Sequence, residues 1–398
     1  MKTANQQRQI PALYMRGGTS KGVFLDPREL PADPKERDAV LLRLMGSPDP
    51  YRQQLDGMGG ATSSTSKVVL VSRSQRPDCD VEYVFGQVSI DRQLVDWSGN
   101  CGNLTSAVGP YAIHRGLVTP PPNGVATIRL WQAGIRKKIV AHVPMQDGQL
   151  VEMGDFELDG VAFPAAEIRL DFIDPGADES DTESGDEGAA SGGGAGLFPT
   201  GRRIDTLSVP GVGDVDATLI NAGNPAVFIR AQALGLGGTE LPADINARPE
   251  LLERCEAIRS HAAVAMGLAP SADFAREHRQ HTPKLAFASA PQSYTATSGR
   301  PVAAEDIDLT LRIVSMGRLH HAMTGTGAVA IAAASAIPGT LLSDILGGPR
   351  DGLRFGHPAG MLKVGAEVRC DNASWVVSQV SMSRSARRLM DGMVFVPA

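Results

Sequence analysis

Cys101 stands in the run SGNCGNLTSAVGPYA, where glycines and asparagines give way to an apolar stretch with helical spacing. Gly99 and Gly102 permit a tight turn against a ligand. Asn103 is expected to cap a helix in which Leu104, Val108 and Tyr111 share one face. A thiol at a helix start meets free amides and the positive end of the helix dipole, which favour thiolate over thiol. Most free cysteines are small buried hydrophobes, but polar Asn100 and glycine neighbours do not make an apolar core site, so Cys101 is read as a reactive centre. The histidines are weaker candidates. His278 and His281 could share a helix face and His320 and His321 are adjacent, but no third ligand at metal spacing accompanies them, so no metal is expected.

These residues need a scaffold, and 398 residues are enough for two or three domain-sized units. Short β-branched runs broken by Gly, Pro or Asp dominate: KVVLVSRS, VEYVFGQVSI, ATIRLWQA, KKIVAHVPM and AEIRLDFID before residue 175, then ATLINAG, PAVFIRA, KLAFAS, DLTLRIVSM, MLKVGAEVRC, SWVVSQVSM and MVFVP. They read as strands. PKERDAVLLRLMG and RPELLERCEAIRSHAAVAMG read as helices ending at glycine. GNLTSAVGPYAI and GTGAVAIAAASAI carry almost no charge on any side, as suits helices buried within a core. One such helix in each half, each preceded by a glycine-rich turn (Cys101–Asn103 and Thr324–Gly327), implies an α+β fold of two similar halves with a cleft between them.

The expected N-terminal half is residues 1–205, with the C-terminal strand 378–398 returning to it, and the C-terminal half is residues 206–377. Between them, residues 174–196 hold seven acidic residues and no Lys or Arg among Gly and Ser. Such a stretch cannot bury enough apolar area to offset its ordering entropy, so a flexible insertion is expected. It accounts for the net charge of −6, leaving the remainder nearly neutral. That charge gives no basic face for nucleic acid. No apolar run reaches the length of a membrane span, and four scattered cysteines without CxxC spacing or a secretory start suggest a reducing, cytoplasmic setting. A homodimer is neither required nor excluded.

The paired turns resemble those of the diaminopimelate epimerase-like fold, in which two pseudo-symmetric halves each wrap a curved, mixed or antiparallel sheet around a central buried helix. That family's CGNG and CGTG motifs stand here as CGNL at Cys101 and TGTG at Thr324, with its GNP turn intact at Gly223–Pro225. The second cysteine is missing, and a threonine hydroxyl cannot stand in for a thiolate, so two-thiol epimerisation is not expected. Longer strings (YMRGGTSKGVF, GSPDPY, DGMGGATSSTSK, DWSGNCGN, HTPK, SMGRLHHAMTGTGAVA and SRSARRLM) resemble the PrpF branch of the fold, the 2-methylaconitate cis-trans isomerases.

That resemblance implies that Lys67 and Cys101 form an acid/base pair acting without a cofactor on a small tricarboxylate in propionate catabolism through the methylcitrate cycle. A proton leaves a carbon beside the conjugated double bond, the electrons spread into a carboxylate, the bond rotates, and a returning proton fixes the other geometry. Which partner removes the first proton stays open, with Lys67 the weakly favoured base; Lys67 as a plain electrostatic clamp is the bland alternative.

Carboxylates need donors. Backbone amides at helix starts supply them, here around Asn100, Gly102 and Asn103, and around Thr324, Gly325, Thr326 and Gly327. Gly17, Gly18, Thr19 and Ser20 of the first turn, and Ser64 and Ser66 beside Lys67, would join them. Arg16 and Lys284 would add charge, and Met323 would pack near the substrate's methyl or in the core. Two other readings compete. One is a 4-oxalomesaconate-type tautomerase on the same scaffold. The other is a non-catalytic anion or nucleotide module, against which no P-loop or dinucleotide glycine pattern is present.

Overall fold

The computed structural model describes residues 7–176, 196–371 and 374–397; of the acidic stretch, all but residues 174–176 and 196 lies outside the described residues. The fold is α+β and mostly sheet, with seven α-helices among the described residues. Every β-branched run named above forms or joins a strand. The helices Pro34–Met45 and Pro249–Ala265 occur where expected, the first closed by Gly46 in the left-handed region at φ 74°. None of the described helices is long and apolar enough to cross a membrane.

In the first half the pairing runs from Gln7–Gly17 to Ser20–Leu25 (antiparallel), Lys67–Arg73 (parallel), Val81–Val88 (antiparallel), Gly124–Gln132 (parallel), Lys137–Gln146 (antiparallel) and Ile168–Ile173 (antiparallel). In the second it runs from Gly213–Ala222 to Asn224–Arg230 (antiparallel), Lys284–Ser289 (parallel), Leu309–Ser315 (antiparallel), Gly352–His357 (parallel), Gly360–Asp371 (antiparallel) and Ser374–Arg384 (antiparallel). Ser374–Arg384 also pairs with Ile168–Ile173, and the last strand, Ala386–Pro397, lies antiparallel to Gln7–Gly17.

Two helices sit inside this sheet. Gly102–His114 packs against the first set of strands and Gly325–Ala336 against the second, and each is buried along nearly its whole length. They meet end to end. A Cβ on Gly102 would fall 2.7 Å from the carbonyl carbon of Gly325 and 2.8 Å from the Thr326 nitrogen. Only glycine lets two helix N-termini approach this closely, so both positive dipole ends face one point.

Candidate functional site

That point is a narrow cleft of about 10 Å³, room for one water, so anything larger enters only if the walls part. Of the residues singled out in the sequence, Ser20, Lys67, Asn100, Cys101, Gly102, Asn103, Lys284, Thr324, Gly325 and Thr326 line it. The helix begins two residues earlier than its sequence suggests. Cys101, not Asn103, is the N-cap, and Asn103 lies within the first turn. Asn103 instead braces the site, donating to Thr19 Oγ1 and the Met323 carbonyl and accepting from Arg384 Nε at 3.0 Å.

The two caps differ in use. Thr324 Oγ1 accepts from the Gly327 amide, whereas the Cys101 thiol makes no capping bond and lies 4.0 Å from Ser20 Oγ. The Thr324 hydroxyl can still donate to a bound anion but, unlike a thiol, cannot exchange a proton with a substrate's second face.

Lys67 opens a central strand, buried, with Nζ donating to Gln87 Oε1 at 2.7 Å and lying 4.9 Å from the Phe85 ring centroid. Burial holds its pKa below the ordinary lysine value, and the nearby Cys101 opposes that shift. Lys284 Nζ bonds Ser315 Oγ at 2.8 Å and His281 Nδ1 at 3.1 Å. Burial and the charge of Lys67 bring Lys284 down to about 7. Arg384, also buried, is lowered to about 10 by burial, with Cys101 pulling the other way. Lys67, Lys284 and Arg384 form no ion pair with a carboxylate among the described residues.

His281 and His320 line the cleft as well. The Ala322 amide donates to His320 Nδ1, which leaves Nε2–H to donate to Ser64 Oγ at 3.0 Å. Burial and neighbouring charge, from His321 and Lys67 for His320 and from Lys284 and Lys67 for His281, hold both imidazoles neutral.

Eight expected residues lie outside the cleft. Arg16, Gly18, Thr19 and Ser64 line a larger neighbouring cavity. Ser66 turns away, its hydroxyl donating to the Val88 carbonyl and accepting from Gln54. Gly17 packs on the first turn of the Cys101 helix, Gly327 serves the Thr324 cap, and Met323 belongs to the apolar core. No group of three His, Cys, Asp or Glu able to hold a metal occurs among the described residues.

The buried lysines set a pH signature. Folded Lys284 titrates near 7 and an ordinary lysine near 10.5, so between those values the unfolded chain binds the extra proton and stability rises with pH. That contribution is absent below pH 7 and complete above 10.5. Thermal midpoints of the ligand-free protein should therefore climb between pH 7 and 10 less steeply in Lys284→Met than in the wild type; equal slopes would show that Lys284 titrates normally.

The architecture matches that of a solved hydroxyproline epimerase from Agrobacterium vitis, with a TM-score of 0.54 over 98% of this chain and 94% of that one at 12% identity, a likeness of fold alone. Within that class of fold, the model of the family described as PrpF protein matches residues 7–397, and the chain belongs to that family. It is 55% identical to the 2-methyl-aconitate isomerase of Shewanella oneidensis and 54% identical to that of Cupriavidus necator, over 98% of each chain. The crystal structure of a methylitaconate-delta-isomerase superposes with a TM-score of 0.74 at 36% identity, covering 99% of this chain and 97% of that one.

Proposed function

We propose that the protein is a cofactor-independent cis-trans isomerase that converts 2-methyl-trans-aconitate, and aconitate, to the cis isomer. The observation that carries this is the meeting, in one cleft, of Lys67 and Cys101 with Lys284 and two helix N-termini, Arg384 standing behind the cleft residue Asn103. Lys284 and Arg384, buried and without an ion-paired carboxylate among the described residues, suit a substrate that carries several carboxylates, since a buried charge is costly until it is paired.

Lys67 acts as the base. Its lowered pKa brings a neutral amine within reach of the working pH, as general base catalysis requires. It removes a proton from the carbon next to the alkene, and the electron pair moves through the conjugated system into a carboxylate. The amides of Gly102 to Asn103 and Gly325 to Thr326, with Lys284, stabilise that developing charge where water is excluded. The carbon-carbon bond, now partly single, rotates. Cys101 then delivers a proton, which restores the alkene in the cis geometry.

The matching order of parallel and antiparallel pairings about each central helix supports two pseudo-symmetric halves, residues 1–205 with 378–398, and 206–377, facing each other across the cleft, with Ser374–Arg384 pairing to strands of both. A place in cytoplasmic propionate breakdown through the methylcitrate cycle follows from this substrate. Incubation with trans-aconitate in deuterated water, followed by NMR of the alkene protons, should give cis product carrying solvent deuterium. No cis product from trans-aconitate or its methyl homologue, with a keto–enol absorbance change on oxalomesaconate instead, would move the protein to tautomerase chemistry.

A further inference from the structure

Beside the cleft lies a far larger cavity of about 780 Å³, and Ser20 lines both. Three cations line the larger one in a row across three adjacent strands. Arg16 lies directly opposite Lys21 in one antiparallel pairing and directly opposite Arg387 in the other. Residues paired this way share a face of the sheet, where like charges are destabilising.

No carboxylate among the described residues relieves the row. Arg16 donates to the Gly18 and Ser385 carbonyls and to Ser385 Oγ, all neutral, while Lys21 Nζ lies 5.5 Å from the Tyr14 ring centroid. Burial, and then the charge of Arg387, push the Arg16 pKa down, as expected of a crowded cation. Apolar side chains line the same cavity, Met153, Val161, Phe163 and Leu389, of which Phe163 and Met153 are largely exposed. Apolar lining beside a row of charge lowers the local dielectric and focuses the field into the cavity.

We propose that Lys21, Arg16 and Arg387 form an outer docking subsite for the carboxylates of the incoming tricarboxylate, from which it passes Ser20 into the reaction cleft. This rests on the isomerase reading above. It gives Arg16 a role outside the cleft, and it supplies a local positive mouth for a trianion on a body that is otherwise nearly neutral. The apolar lining would meet the methyl and alkene carbons of the same molecule.

The test is the salt dependence of kcat/KM for the wild type and for the double variant Lys21→Gln with Arg387→Gln. At low ionic strength, where the field of a charge persists over about 30 Å, the wild type should be about tenfold more efficient than the variant, the lower end of what steering supplies. The difference should shrink as salt rises to about 0.15 M, with kcat held within about twofold throughout. The ligand-free variant should also melt at or above the wild-type temperature, because a like-charge row has been relieved; a merely structural pair would melt lower.

Equal salt slopes, or a loss carried in kcat, would overturn the proposal. Should the wild type turn over no tricarboxylate, the isomerase reading fails instead. The subsite is then judged by calorimetry with cis-aconitate on the same two proteins, where equal affinities at low salt would dismiss it.

Discussion

Lys67→Met is expected to fold, to bind tricarboxylate, and to isomerise it at least about a hundredfold more slowly, the usual scale for removing a positioned acid or base. Methionine keeps the four-atom stem, with sulfur in place of one methylene, and removes the amine. The substitution leaves Gln87 Oε1 without its 2.7 Å donor, a cost of about 1–3 kcal/mol for a buried acceptor. It also removes the desolvation cost of a buried amine that no carboxylate partners. The two effects oppose each other, so the rate loss can be read without a folding defect, checked by the thermal midpoint.

Cys101→Ser is the companion. The hydroxyl preserves size but titrates far outside the working range, and a loss of similar scale follows. Deuterium separates the roles. With Lys67 as base, Cys101→Ser should still wash solvent deuterium into unreacted trans substrate while forming little cis product, whereas Lys67→Met should do neither. The reverse pattern would exchange the assignments, and wild-type turnover in either variant would remove that residue from the chemistry.

Cys101 and the strings around it were visible in the sequence because glycine, asparagine and a charge-free helix are unusual neighbours for a thiol, and because the structure brings that helix start to a cleft. The strands were visible through β-branched runs. Residues that support the cleft carried quieter signals. Gln87 follows Val81, Tyr83 and Phe85 at every second position, a polar group on the inward face of a strand. Arg384 likewise follows Val380 and Met382 on the buried face of Ser374–Arg384. A polar or charged residue that keeps the apolar phase was the sign in both cases.

His281 had no such sign. It lies past the end of the short helix Ala272–His278, and only tertiary packing sets its ring between Lys284 and Asn100. Ser66 misled for a local reason. It adjoins Lys67 where a strand begins, and neighbours on a strand point to opposite faces. Asn103 misled because its residue type favours caps, while the close approach of Gly102 to Gly325 requires the helix to start at the glycine.

That close approach supplies the second large effect. Gly102→Ala places a methyl 2.7 Å from one backbone atom and 2.8 Å from another on the facing helix, well inside the 3.4 Å at which ordinary contact begins. Backbone cannot swing aside as a side-chain tip can, so the two helix starts must separate. Overpacking of this kind costs about 1–3 kcal/mol, which a chain with this much core can absorb. The site is less tolerant, because the displaced atoms are the amides aimed at the substrate's carboxylates, and a shift of about 1 Å in such groups costs about a hundredfold in rate. Gly109→Ala is the control. It lies on the same helix, but its nearest obstacle is the Val143 Cγ2 methyl at 2.9 Å, which can yield. Denaturation and kcat/KM measured on both variants should show comparable stability losses and a rate loss confined to Gly102→Ala. Full activity in Gly102→Ala would mean that the paired helix starts hold the fold together without holding the substrate.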